Sequence, residues 1–257
     1  MNRVFITGAS SGIGAALARE YAAAGAVLGL VARRCELLDT LVASLPNPAQ
    51  HSVYTLDVTD HAALGAAAAD FIARNGGADV VIANAGISHG TLTDHPEDQG
   101  VFDAIIATNL NATVATFTPF LAAMKAGSGP RRLVGLGSVA GVRGLPGAGA
   151  YSASKAAVRC YCESLRLEMR AHGIRVVTIA PGYIATPMTA KNTYPMPFLM
   201  PVERFARQAV RAIAAGDSYR VIPWQMGWVA KLLRVLPNWL YDLLFARAPH
   251  KARKVQA

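Results

Sequence analysis

Residues 4–14 read Val4-Phe5-Ile6-Thr7-Gly8-Ala9-Ser10-Ser11-Gly12-Ile13-Gly14 and continue into Ala15-Ala16-Leu17-Ala18-Arg19-Glu20-Tyr21. Three apolar residues suited to a buried strand meet a glycine-rich turn that opens a helix. Glycine permits the tight turn and lets a diphosphate approach the backbone, and the helix N-terminus offers free amide donors with a partial positive charge. The spacing G-x-x-x-G-x-G differs from the common dinucleotide fingerprint G-x-G-x-x-G, and a ligand-free glycine turn is the competing reading. The strand before it and the helix after it supply the context that favours a nucleotide.

Working outward, Ala26-Val27-Leu28-Gly29-Leu30-Val31 leads into Ala32-Arg33-Arg34. An acidic residue at this distance from the glycine turn would hold the ribose hydroxyls of NAD; none is present. Arg33 instead offers forked, charge-assisted hydrogen bonds to the 2′-phosphate of NADP. The two arginines also read as a solvated basic start to the next helix, which suits Arg34 better than Arg33.

The hydrophobic pattern predicts strands over 3–7, 26–31, 52–56, 79–83, 132–137, 174–180 and 219–222. Between them it predicts helices over 12–24, 34–44, 60–74, 98–126, 151–171 and 202–215. This alternation calls for an α/β fold, with right-handed crossovers and a doubly wound, mostly parallel sheet covered by helices on both faces. At 257 residues and 53% hydrophobic, the chain can bury one large core without dividing. Residues 1–223 are expected to form the nucleotide-binding catalytic domain, with a lid over 187–215, and 224–257 an apolar helical extension with a basic tail. Ligands in such sheets lie beyond the carboxyl ends of the strands.

Tyr151-Ser152-Ala153-Ser154-Lys155 puts tyrosine and lysine four residues apart on one helical face. A nearby cation favours phenolate and brings tyrosine toward general acid-base range, with a carbonyl or an alcohol as the target. Ser138 follows Arg132-Leu133-Val134-Gly135-Leu136-Gly137, so a strand end could bring a hydroxyl to the pair. Asp57 could meet an adenine edge or cap the following helix. Asn84-Ala85-Gly86 is either a close backbone approach to a ligand or a plain turn. Asn109, an amide inside the apolar helical run Ile105-Ile106-Ala107-Thr108-Asn109-Leu110, needs a partner, structural or a water beside the lysine.

Together these segments resemble the short-chain dehydrogenase/reductase family of the classical type. The resemblance rests on Thr7 to Gly14, Asn84-Ala85-Gly86, Asn109, Ser138, Tyr151 to Lys155 and Pro181-Gly182, in order along the chain. It implies an NAD(P)-dependent oxidoreductase on a single Rossmann-fold domain with a seven-stranded sheet of order 3-2-1-4-5-6-7. It implies Tyr151 as the acid-base, Lys155 as the group that binds nicotinamide ribose and lowers the tyrosine pKa, Ser138 as the orienter of the substrate oxygen, and Asn109 as the anchor of a relay water. Cofactor-binding residues carried over are Gly8, Ser10, Ser11, Gly12, Ile13 and Gly14 on the diphosphate and nicotinamide side, and Arg33 at the position that marks NADP. Asp57 and Val58 flank adenine, Asn84, Ala85 and Gly86 lie at the adenosine ribose, and Pro181, Gly182, Ile184 and Thr186 close over nicotinamide. Ala83 departs from the family's paired asparagine, and Ala32 replaces the aspartate of NAD-preferring members.

The segment Pro187 to Pro201 is rich in methionine, proline and aromatics, which suits a lid over a nonpolar ketone or aldehyde, steroid-like, fatty or aromatic, or simply packs that lid on the body. A 3-oxoacyl-thioester reductase is the nearest competing enzyme, and a noncatalytic NADP-binding regulator the competing reading from another class. From Trp224 onward, Lys231, Arg234, Arg247, Lys251, Arg253 and Lys254 stand against Asp242 and carry more than half of the chain's formal +9. Apolar helices with basic flanks and all three tryptophans suit an anionic membrane surface, while packing on protein, as cover or as a homodimer or homotetramer contact, is the commoner fate. Charges interrupt any 20-residue window there, against a membrane span, and the first strand leaves no room for a signal peptide. Cys35, Cys160 and Cys162 form no CxxC pair and suit a reducing, cytoplasmic setting, with the inner face of a membrane as the peripheral alternative. The histidines show no metal-ligand spacing, and a pI near 9.8 without a nucleic-acid motif argues against a nucleic-acid partner.

Overall fold

The computed structural model describes residues 2–246 with Ala248, Lys251 and Arg253; Arg247 and Lys254, grouped with the tail above, lie outside the described residues. Strand β1 (Arg3–Thr7) sends Val4 and Ile6 to one face and Phe5 to the other, each fully buried. That alternation sets two apolar layers. The chain continues through α1 (Gly12–Ala23), β2 (Val27–Ala32), α2 (Cys35–Ala43), β3 (Ser52–Thr55), α3 (His61–Asn75) and β4 (Val80–Ala83). Next come α4 (Gln99–Ile106), α5 (Ala112–Phe117), α6 (Leu121–Ala126), β5 (Arg131–Leu136), α7 (Gly149–Glu168) and β6 (Ile174–Pro181). A two-residue ladder, β7 (Ile184–Ala185) with β8 (Met200–Pro201), precedes α8 (Val202–Ala215), β9 (Tyr219–Ile222), α9 (Trp224–Val235) and α10 (Asn238–Phe245).

The main sheet runs β3-β2-β1-β4-β5-β6-β9, parallel throughout. Counting its seven strands in chain order, this is the Rossmann order 3-2-1-4-5-6-7. Helices α1, α2 and α8 cover the face of Val4, Ile6, Leu28 and Leu30, with Leu17, Leu38 and Phe205 fully buried between. Helices α3, α5 and α7 cover the other face through Leu64, Phe71, Phe117 and Val158. Phe5 lies 4.8 Å from Phe120 and 5.5 Å from Phe71 between ring centroids. The space for these rings comes from Gly29, where a Cβ would stand 2.6 Å from Phe71. Order reverses between β1 and β4, which opens a crevice at their carboxyl ends. The opposite ends are tied by Arg3, whose guanidinium donates to both carboxylate oxygens of Asp79 at 2.6 and 3.1 Å.

The helix expected over 98–126 runs as one helical stretch over Pro96–Ala126. It opens with a 3-10 turn at Pro96–Asp98 and changes pitch at a π turn over Ala107–Asn111 and a second 3-10 turn over Thr118–Phe120. Pro119 cannot donate an amide, the Thr113 and Thr116 hydroxyls bond back to the carbonyls of Asn109 and Ala112, and the π turn swings the Asn109 amide out of helical register. By length and composition, Pro96–Ala126 is the one helical run among the described residues able to cross a membrane. Its Ile105, Phe117, Phe120 and Met124 are buried in the core.

Helix α9 packs Met226 and Ala230 against Val139, Val142 and Tyr183, and α10 is held by the Tyr241 hydroxyl on the Gly144 carbonyl at 2.6 Å. Trp224, Trp228, Leu232 and Val235 form an outward stripe on α9, continued by Trp239, Leu243 and Leu244 on α10, each at least 60% exposed. These seven side chains do not pack on the described body of the chain, whereas Met226, Ala230 and Tyr241 of the same helices do.

Candidate active site

The glycine turn is shaped by the absence of side chains. Gly8 has φ +69°, and a Cβ there would stand 2.8 Å from Ala85 Cα; one on Gly14 would overlap the Gly8 carbonyl oxygen. Asn84 locks the turn, its Nδ2 donating to the carbonyls of Thr7 at 2.9 Å and Gly8 at 3.1 Å. The Thr7 hydroxyl accepts from the amides of Asn84 and Ala85. No side chain caps α1. A cradle that a Cβ would fill, ending at an uncapped helix, fits a dinucleotide diphosphate.

Arg33 and Arg34 leave the end of β2 on either side of this cradle. Arg33 Nη1 lies 3.4 Å from Asp57, whose carboxylate also accepts from the Thr59 amide and hydroxyl at 3.0 and 2.8 Å. Burial raises Asp57, but the Thr59 bonds and the Arg33 charge outweigh it and hold the group below its ordinary value. The cap of α3 is Asp60, accepting from the Ala63 amide, so Asp57 is free of that duty. Val58 is buried beside it. Arg34 starts α2 and is exposed, as expected above, but it is also engaged: its Nη2 donates to Ser10 Oγ at 3.0 Å and Ser11 Oγ at 2.8 Å. The serine hydroxyls, unused as caps, are what draw it across.

Ser138 stands just beyond β5, where its Oγ accepts from the Ala140 amide at 3.1 Å and lies close enough to Tyr151 to oppose the rise that burial gives the phenol. Helix α7 rides directly on the turn Val139–Gly141, because a Cβ on Gly141 would stand 2.7 Å from the Lys155 backbone. On that helix the Lys155 ammonium lies 5.9 Å from the Tyr151 ring centre and donates to the Leu136 carbonyl at 2.8 Å. Burial lowers Lys155 to about 8, and burial raises Tyr151 against the opposing effect of Ser138. The lysine therefore does not bring the tyrosine below its ordinary value in this arrangement. Asn109, fully buried, accepts from the Ile87 amide at 2.8 Å and donates to the Ile87 carbonyl at 3.1 Å and Ser154 Oγ at 3.0 Å. Its side chain is a clamp between the loop after β4 and α7. Gly86 makes the crossing possible: a Cβ there would stand 3.2 Å from Asn109 Oδ1 and 3.5 Å from Lys155 Nζ.

Beyond β6, Gly182 donates its amide to the Ile222 carbonyl at 2.8 Å, and a Cβ there would stand 2.7 Å from Met226. Ile184 is buried and Thr186 faces the cradle, 3.4 Å from where a Gly12 Cβ would lie. The structure thus gathers Gly8 to Gly14, Arg33, Asp57, Asn84 to Gly86, Asn109, Ser138, Tyr151, Lys155 and Pro181 to Thr186 along the carboxyl ends of the strands.

A family profile described as short chain dehydrogenase matches residues 2–196. The chain belongs to the short-chain dehydrogenase family. It is 38% identical over 245 residues to an uncharacterised oxidoreductase of Myxococcus xanthus, covering 92% of this chain and 93% of that one. It is 39% identical over 242 residues to an uncharacterised oxidoreductase of Mycobacterium tuberculosis, covering 91% and 94%. The crystal structure of a short-chain dehydrogenase from Streptomyces avermitilis superposes with a TM-score of 0.76 at 23% identity, over 95% of this chain and 99% of that one. Membership makes this chain an oxidoreductase of the NAD(P)-dependent type, acting on a carbonyl or an alcohol.

Around the dehydrogenase motifs stand residues that sequence reasoning missed. Ser154, fully buried, donates to the Tyr151 carbonyl at 2.8 Å and receives Asn109; its small polar side chain within the motif was the available signal. Tyr194, from the segment after Thr186, meets Tyr183 edge-on at 6.4 Å and lies near enough to Tyr151 to be raised by it, after burial and Tyr183. Lys251 lies 5.4 Å from the Tyr151 ring centre. Nothing in its sequence context distinguishes it from the other cations of the tail. Among the described residues no group of three or more His, Cys, Asp or Glu is placed to hold a metal ion.

Proposed function

We propose that this short-chain dehydrogenase is an NADP-dependent reductase of ketones or aldehydes with a nonpolar body, working reversibly on the corresponding alcohols. The observation that carries the reading is Tyr151, beside Ser138 and flanked by Lys155, at the strand ends that also hold the glycine cradle. When bound, NADPH supplies a hydride to the carbonyl carbon. Tyr151 delivers its proton to the oxygen, and Ser138 donates a hydrogen bond to the same atom. Lys155 holds the nicotinamide ribose, and Asn109 fixes the loop and helix that carry the lysine. In the oxidative direction the tyrosinate takes the alcohol proton. Residues 1–223 hold all of these groups, and Tyr194 with its neighbours after Thr186 forms the apolar cover of the substrate. NADPH consumption across aliphatic, steroidal, quinone and acyl-thioester carbonyls, with NADH in parallel, tests the reading; better use of NADH than of NADPH would contradict it.

Cofactor choice rests on Arg33 and Arg34 bracketing the end of β2 where Ala32 offers no carboxylate to a ribose. The double variant Arg33→Ala, Arg34→Ala is expected to raise KM for NADPH by roughly 10- to 1000-fold, the value of losing two charge-assisted phosphate contacts. KM for NADH should stay nearly constant. Loss of both activities in proportion would assign the arginines to stability.

The pH dependence has a definite sign. Tyr151 is raised, so the acid for reduction persists well above neutrality, whereas Lys155 loses its charge as pH rises through about 8. Reductive kcat/KM of the free enzyme should fall above that pH, and Lys155→Arg should remove this descent. A profile flat to pH 10 would contradict the assignment.

The exposed tryptophan and leucine stripe on α9 and α10 serves, in this reading, as a contact between copies in a homodimer or homotetramer of a cytoplasmic enzyme. Flanked by Lys231 and Arg234, it also suits the inner face of an anionic membrane. Liposome flotation of the full chain against Trp224→Ser, Trp228→Ser, Trp239→Ser separates the two: equal flotation removes the membrane.

A further inference from the structure

We propose that Lys251 is a substrate-recognition residue, and that the preferred ketone or aldehyde carries a carboxylate a few bonds from its carbonyl, received by the Lys251 ammonium. The inference rests on the reductase reading and deepens it: the nonpolar body lies under the lid, and the acid group points to the tail. Four observations support it.

First, the tail is fastened across the mouth of the site. Arg253 donates to both oxygens of Asp98, at 2.8 and 3.1 Å, and to Glu97 at 2.7 Å, and its backbone bridges to Gly90. Asp98 is only 3% exposed and also accepts from the Leu92 amide at 2.9 Å, so the anchor has a fixed planar geometry. Second, this anchor sets Lys251 beside the reacting group: its Nζ lies 5.4 Å from the Tyr151 ring centre and donates to Ser88 Oγ at 2.6 Å. Ser88 follows Gly86, the glycine against which Asn109 and Lys155 close.

Third, the ammonium lacks a counter-ion among the described residues. Among the described residues no carboxylate lies within ion-pair distance of Lys251, and the loop's Glu97 and Asp98 are taken by Arg253. An ammonium has three donors, of which Ser88 uses one. Partial burial disfavours its charged form, a cost that an arriving anion would offset. Fourth, the cofactor's phosphates have other partners: the glycine cradle and Arg33 with Arg34 lie past β1 and β2, whereas Lys251 stands at Tyr151. The anion that meets Lys251 therefore belongs to the molecule whose carbonyl meets Tyr151.

The test uses the full chain with matched pairs of oxo acids and their methyl esters, following NADPH consumption in wild type, Lys251→Met, Lys251→Arg and Arg253→Ala. Wild type should prefer the acid, and Lys251→Met should cut the acid-to-ester ratio of kcat/KM by about 10- to 100-fold, the value of a charge-assisted hydrogen bond. The loss should fall mainly in KM, Lys251→Arg should restore part of it, and Arg253→Ala should lower the ratio in the same direction. Equal kcat/KM for acid and ester in wild type overturns the inference and leaves the reductase reading intact. Faster turnover of both compounds in Lys251→Met and Arg253→Ala overturns it too, in favour of the tail as a cover that slows the enzyme. Consumption of neither compound overturns both readings.

Discussion

Tyr151→Phe is expected to lower kcat by about 10²- to 10⁴-fold, the contribution of a positioned general acid, with NADPH affinity unchanged. The substitution removes one oxygen from a ring packed among Ser138, Lys155 and Lys251 and leaves the glycine cradle and both arginines untouched. Because the proton is given only as the carbonyl becomes an alkoxide, the loss should appear in kcat and kcat/KM alike. Fluorescence titration with NADPH beside steady-state turnover separates the outcomes. A variant that keeps near-wild-type turnover ends the assignment of Tyr151.

Asn109→Ala is expected to be the most destabilising change at the site. Among the described residues its amide is the sole side-chain partner of the Ile87 amide and carbonyl, and removing it also takes a partner from Ser154. Two orphaned backbone groups cost about 2–5 kcal/mol, which for a chain of this size lowers Tm by roughly 5–15 °C. Turnover should fall as well, since Gly86 would no longer be held against Lys155 and the Tyr151 helix. Calorimetry with and without NADPH checks the first effect. An unchanged Tm would mean that the π turn is held by packing alone.

Much of this arrangement was legible because the sheet is built from strands buried on both faces, which appear as uninterrupted apolar runs. Val4 to Ile6, Val80 to Ala83 and Val176 to Ala180 could hardly be anything else. Their glycine and asparagine punctuation then marked the strand ends where ligands bind. Apolar periodicity foretells the helix over 98–126 but is blind to the π turn within it; the polar Thr108, Asn109 and Asn111, and Pro119 further on, stand where its pitch changes. The bonds of Arg34 were not legible because its partners, Ser10 and Ser11, are more than twenty residues away and meet it only through β1–β2 pairing. Lys251 and Arg253 were invisible for the same reason at longer range. A basic tail is usually solvated, and nothing local shows that Asp98 will bind it.

Two surfaces of the C-terminal region that composition alone merges are separate in the fold. The tryptophan stripe of α9 and α10 faces outward, whereas Lys251 turns inward to Tyr151 and Arg253 to Asp98.

The most direct test of the central claim is a single-turnover reaction with NADPH deuterated at the transferring position of C4, followed by mass spectrometry of the alcohol formed. One deuterium on the carbinol carbon per NADPH consumed is expected, and none with Tyr151→Phe over the same interval. Oxidation of NADPH without deuterium in the alcohol, or deuterium transferred equally by the phenylalanine variant, would contradict it.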